Sequence, residues 1–243
     1  MENEAPANNR QDFPDTRWSI VLAAAREAGA QPALAWLCER YWFPLYAFVR
    51  RRGHSPEDAE DTVQGFFAML LHDGLVEKAD AERGRFRTFL LGCLSHHLAH
   101  ERRDAQRLKR GGGVTAVPFD SDDIEARLAR DLPRPGTPEE DYDRAWALTL
   151  LDRVAEQVRG ECEADGNEGR FAMLESFLHG DRGEVSLAEL ASRLGVSLAA
   201  AKSIVHRLRK RFRERLVAEI RETLPAGEDA EAELRYLFAA AAR

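Results

Sequence analysis

VSLAELASRLGVSLAAAKSIVHRLRKRFRERL, Val185–Leu216, reads as two helices joined by a tight turn. Ser186 stands as the cap of the first, with Glu189 three residues on in capping-box register. Leu187, Leu190, Ala191 and Leu194 recur at helical spacing and make one apolar face. Gly195 ends that helix, because glycine takes the left-handed backbone a C-terminal cap requires. Ser197 caps the second helix, whose buried stripe is Ala201, Val205, Leu208 and Phe212. The opposite face is read as Lys202, Ser203, His206, Arg207, Arg209, Lys210, Arg211 and Arg213. A short helix, a glycine turn and a second helix with a basic outer face is the helix-turn-helix layout, which places its second helix in a DNA major groove. A solvated basic helix on an ordinary helical hairpin is the plainer alternative. The two caps, the turn glycine and the small Ala191 at the helix crossing favour DNA binding.

The chain has 243 residues, 44% hydrophobic and 32% charged, with a formal net charge of −7. That is the composition of a soluble globular protein. The charge is segregated. Basic residues gather in Arg83–Arg110 and Lys202–Arg221, and acids in Glu57–Asp61, Asp120–Asp143, Glu161–Glu168 and Glu228–Glu233. Local fields rather than the sum therefore set which partners are attracted. Cys38, Cys93 and Cys162 are an odd number without metal-ligand spacing, as expected of small buried residues in a reducing compartment. The polar start and the lack of a long apolar run predict a cytoplasmic protein with no membrane contact.

The pattern predicts an all-α protein of two helical domains joined by a flexible linker, the second domain containing the helix-turn-helix. Residues 1–14 are expected to be disordered, and 15–110 to form the first domain. A helix is expected over Thr16–Ala28 and another over Gln31–Arg52. The second carries Trp36, Tyr41, Trp42, Phe43, Tyr46 and Phe48 as core anchors, with Pro44 kinking or restarting it. Ser55 caps a third helix, with Ala59, Val63, Phe66 and Leu70 inward and Asp58, Asp61 and Gln64 outward. That acidic face suits a basic partner. GRFRTFLLGCLSHHLAHERRDAQRLKR follows, with Phe86, Phe89, Leu90, Cys93, Leu94 and Leu98 facing the core and arginines at both ends. Arginines interleaved with aromatics suit single-stranded nucleic acid, whose bases stack on rings while guanidinium groups track phosphates. His96, His100 and Asp104 share a helix face, but Arg103 and Arg107 would oppose a cation there, so no metal and no other cofactor is expected. Residues 111–137 read as the linker, with a short helix near Asp122–Arg130. The second domain spans 138–224, and a C-terminal extension helix spans 225–243, with Leu234, Leu237 and Phe238 on one side.

SPEDAEDTVQGFFAML, ERGRFRTFLLGCL, a linker and SLAELASRLGVSLAAAKSIVHRLRKRFRERL, in that order, resemble the sigma factors of bacterial RNA polymerase. The nearest type is the extracytoplasmic-function (ECF) group; RAWALTLLDRV and the tail ELRYLF look like a sub-branch with a C-terminal extension. The resemblance implies a non-enzymatic initiation factor whose partners are core RNA polymerase, through its β′ clamp and β flap, and promoter DNA. It also leaves room for an anti-sigma factor. Asp58, Asp61 and Gln64 would grip the clamp. Arg83, Arg85, Phe86, His96, His100, Arg103 and Arg107 would open and read the −10 element. Ser197, Lys202, Ser203, His206, Arg207 and Lys210 would serve the −35 element. His96 and His100 stand where the family often has Asn and Asp, and Ile204 where many members have a basic residue. Two other readings remain: a helix-turn-helix regulator acting on duplex DNA without polymerase, and a metal-dependent hydrolase built on HHLAHE.

Overall fold

The computed structural model describes residues 30–73, 75, 84–105, 121–134, 136–165, 169–178, 185–225 and 227–242. The expected Thr16–Ala28 helix lies outside them. All regular structure among these residues is helical, in the order α1 (Ala30–Arg51), α2 (Pro56–His72), α3 (Phe86–Ala105), α4 (Ser121–Asp131), α5 (Pro138–Ala164), α6 (Arg170–Leu174), a 3₁₀ turn (Glu175–Phe177), α7 (Leu187–Leu194), α8 (Leu198–Arg221) and α9 (Ala230–Ala241).

α1 is the central element because it is apolar nearly all round. Leu37, Tyr41, Leu45, Tyr46 and Phe48 have no exposed surface, so both sides of the helix must be covered. α2 and α3 cover one side, through Ala59, Val63, Phe66, Leu70, Leu90 and Leu94, and α5 covers the other. Burying each such large side chain contributes about 1.5–3 kcal/mol. The Trp42 and Tyr46 rings stack at 5.1 Å between centroids, and Tyr41 meets Phe86 edge-on at 5.4 Å. The helix runs unbroken through Pro44 rather than restarting there. Burial pushes the Cys38 thiol up to about 11, helped by the Glu39 carboxylate, so it is an inert core thiol.

α5 starts at a complete capping box: Thr137 Oγ1 accepts from the Glu140 amide, and Glu140 reaches back to the Thr137 amide. Its inner face packs on α1, α6, α8 and α9. The α1–α5 seam joins the two expected domains directly. Phe48 meets Tyr142 edge-on, and Arg51 pairs with buried Asp141 and donates to the Leu132 carbonyl at 2.7 Å. Residues 106–120 lie outside the described part. The rest of the expected linker is a held element rather than a loose one. α4 is the short helix expected there, and Ile124 and Leu128 are buried. Glu125 accepts two bonds from Arg50, at 2.7 and 2.8 Å, and one from Tyr46. The Arg50 bonds hold the Glu125 carboxyl below the usual range.

Candidate nucleic-acid and partner interface

α7 and α8 form as their sequence requires. Ser186 Oγ accepts from the Glu189 amide at 3.1 Å. The box is only half made, because the Glu189 carboxylate turns outward to Arg193 at 2.7 Å. Gly195 has φ 64°, and the Val196 amide donates to the Ala191 carbonyl, the bond of a Schellman stop. There is open space where a Cβ would sit, so the left-handed backbone alone calls for glycine. Ser197 Oγ then accepts from the Ala200 amide at 3.2 Å and starts α8.

Along α8, Ala201, Val205, Leu208, Phe212 and Leu216 are buried, which turns Lys202, Ser203, His206, Arg207 and Lys210 to solvent. Lys202, His206 and Arg207 form no ion pair with any described residue. Lys210 has only a long contact of 3.8 Å to exposed Glu214, and Ser203 donates to its own helix at the Ala199 carbonyl. Arg209 and Arg213 are engaged elsewhere: Arg209 donates to the Phe177 carbonyl at 2.9 Å, and Arg213 pairs with Glu231 of α9. The outer face of α8 thus mixes open groups, Lys202, His206, Arg207 and Lys210, with the committed arginines Arg209 and Arg213.

The far end of α8 is tied to α1. Glu219 is 9% exposed and sits in the register of Phe212 and Leu216. It accepts from Arg40 at 3.2 Å, from Arg153 at 3.3 Å and from Gln157 at 3.0 Å. Burial alone would raise its carboxyl; the Gln157 bond and the two guanidinium charges overcome that and hold it below the usual range.

On the other half, Ser55 caps α2, with its Oγ accepting from the Asp58 amide at 3.1 Å. Asp58 and Asp61 are exposed and Gln64 half-buried, and neither aspartate forms an ion pair with a described residue. On α3, His96 and His100 are exposed, with ring centroids 4.6 Å apart. His97 faces inward against Phe66, 3.3 Å from Glu101, which also accepts from Thr62 of α2. The nearby His97 ring holds the Glu101 carboxyl below the usual range. Among the described residues, no group of three or more His, Cys, Asp or Glu is placed to hold a metal ion. Arg83 and Arg107 lie outside the described residues, as do the side chains of Arg103 and Asp104.

The start of α3 differs in part from its sequence reading. Phe86, read both as core-facing and as a −10 residue, is 3% exposed and packs among Trp36, Tyr41 and Phe89, as the core-facing reading expects. Its position in the apolar register of α3, four before Leu90, puts it inward, and the core claims the ring. Arg85 is half-buried, with Nη1 2.9 Å from Glu233 and Nε donating to Glu228 at 3.2 Å. Arg87 is buried, bonded to Glu233 and to Asp143, with its guanidinium 5.1 Å from the Trp146 ring centroid and 5.5 Å from that of Tyr236. Tyr142 donates to the Arg87 carbonyl at 3.0 Å. Sequence reasoning missed both charged clusters, although a signal existed. Glu219 and Glu233 occupy core-register positions of amphipathic helices, and a carboxylate there requires a buried cation.

α9 packs through Ala230, Leu234 and Leu237 against α5 and α8. Phe238, expected on the same stripe, is 44% exposed. It lies four residues beyond Leu234, but Leu237 and Ala240 hold the inward positions on either side of it.

No described helix is long and apolar enough to cross a membrane. Comparison with curated proteins and with solved structures gave no significant match. Residues 37–108, which cover most of α1, α2 and α3, match the family model Sigma-70 region 2. The match supports a sigma factor family for this chain, and with it a role in promoter recognition with RNA polymerase.

Proposed function

We propose that the chain is a sigma factor of the ECF type with a C-terminal extension, a non-enzymatic initiation factor acting in the cytoplasm. It binds core polymerase through the Asp58, Asp61 and Gln64 face of α2. It meets the −10 element through His96, His100 and Arg103 of α3, with Arg85 at its start and Arg83 and Arg107 on either side. α7 and α8 serve as the helix-turn-helix for the −35 element, with Lys202, Ser203, His206 and Arg207 at base edges and Lys210 on phosphate.

The observation that carries this reading is the region 2 match over α1–α3 together with two exposed aspartates of α2 that form no ion pair among the described residues. Surface acids without internal partners are cheap to bring against a basic surface, and such complementarity sets orientation and encounter rate. Asp61→Arg is expected to reduce co-purification with core polymerase while leaving the helical circular dichroism unchanged. A double Asp58→Ala/Asp61→Arg variant that co-purifies at the wild-type level would overturn the assignment.

A second reading is favoured by the open face of α8: a regulator that binds duplex DNA alone. Lys202, His206 and Arg207 are already presented to solvent without any partner protein. Site-specific duplex binding by the free chain, unchanged by added core polymerase, would support it.

A further inference from the structure

We infer that the C-terminal segment Glu228–Glu233 is an internal competitor of nucleic acid, a latch that occupies the guanidinium groups at the start of α3. The inference rests on the proposal that Arg85 contacts nucleic acid. Three observations carry it. Glu233 is 2% exposed, on the inward face of α9, and its two carboxylate oxygens reach Arg85 and Arg87 separately. Glu228 adds a second carboxylate to Arg85. The backbone makes the same junction, with the Phe86 amide donating to the Thr223 carbonyl at 3.4 Å just ahead of the segment.

A guanidinium meets a carboxylate and a phosphate oxygen with the same charge-assisted geometry. Glu228 and Glu233 already neutralise Arg85 and would repel a phosphate beside it, so a strand that takes Arg85 competes with the two acids for its charge. The two acids differ in what their loss costs. Glu228 is 41% exposed, so its pair is weak and easily exchanged. Glu233 is seated among Ala230, Leu234 and Leu237 and leaves only if this end of α9 lifts. A binding site open only part of the time shows an affinity lowered by the open fraction.

The test uses the full chain and a fluorescein-labelled poly(dT) strand, read by anisotropy. Glu228→Gln should tighten binding about two- to fivefold, the span set by one partly exposed ion pair. Glu228→Gln/Glu233→Gln should tighten it further, by about tenfold or more, since the buried carboxylate goes as well. Glu163→Gln is the charge-matched control. It is exposed on the last turn of α5, roughly 30 Å along that helix from Asp143 by helical rise, and should leave affinity unchanged. Hydrogen exchange of α9 amides should accelerate when wild-type protein is saturated with the strand. Arg85→Ala separates the two claims. If it weakens binding while neither Gln variant tightens it, the latch is wrong and the Arg85 contact stands. If Arg85→Ala binds as wild type, the contact on which the latch rests is wrong. Equal tightening by Glu163→Gln would reduce the effect to net charge and overturn the latch. Should the double variant fail to fold, Glu228→Gln alone decides, because its side chain is at the surface.

Discussion

The cations of α3 and those of α8 look alike in sequence and differ in the fold. Arg85 and Arg87 at the start of α3 are both bound by carboxylates of α9, and Arg87 is buried. Lys202, His206 and Arg207 on α8 stand in solvent with no ion pair among the described residues. Basic charge is therefore not one kind of signal. At α8 it marks a surface prepared for an anion; at α3 it also serves as mortar between helices far apart in the chain. The buried set contributes through removal of its alternatives. A guanidinium sealed from water costs several kcal/mol unless every neighbouring carboxylate is in place.

The strongest way to break the comparison is Arg87→Ala. It removes a buried guanidinium from Glu233, which keeps Arg85, and from Asp143, which keeps the Tyr236 hydroxyl, and should lower unfolding free energy in urea by up to about 3–5 kcal/mol. A loss under 1 kcal/mol would mean that the buried cluster is no more structural than the exposed face. Next in size is Glu219→Gln, at about 1–3 kcal/mol, since the amide keeps some hydrogen bonds to Arg40 and Arg153 but not the charge. Its pH dependence sharpens the test. The folded Glu219 carboxyl titrates below its ordinary 4.5, so its contribution is complete above pH 4.5 and is lost as pH falls through the folded value. The stability gap between variant and wild type should be widest at neutral pH and close in acid. A gap independent of pH would place the effect in packing rather than in charge.

How much of this was legible in the sequence follows the same division. The α7–Gly195–α8 geometry could be read because caps, the left-handed glycine and the 3.6-residue stripe are all local. Ala201, Val205, Leu208 and Phe212 are buried where the spacing put them. The inner faces of α2 and α3 were readable for the same reason. Phe86 carried two readings, core residue by its register and −10 contact by its flanking arginines, and the ring is in the core. The Arg87–Glu233 pair spans 146 positions, and no periodicity connects residues that far apart. Nor could composition show that the seam between α1 and α5 unites the two halves, since Phe48 with Tyr142 and Arg51 with Asp141 meet from positions far apart in the chain.

The smallest effects lie on α8 itself. Lys202→Ala should cost about 1–3 kcal/mol on the preferred −35 sequence and flatten preference there, as loss of one base contact does. Lys210→Ala should weaken every sequence alike and reduce the salt slope by about one unit. Binding of promoter variants at two salt concentrations measures both. Equal loss by Lys202→Ala on every variant would move that residue from base edges to phosphate.

The most direct measurement is promoter-directed initiation by the purified full-length chain with core RNA polymerase, beside core alone. The expected result is a complex that survives gel filtration and starts transcripts at defined sites that core alone does not use. A chain that fails to associate with core, yet binds specific duplex DNA by itself, would contradict the sigma-factor account and leave the duplex-only regulator in its place.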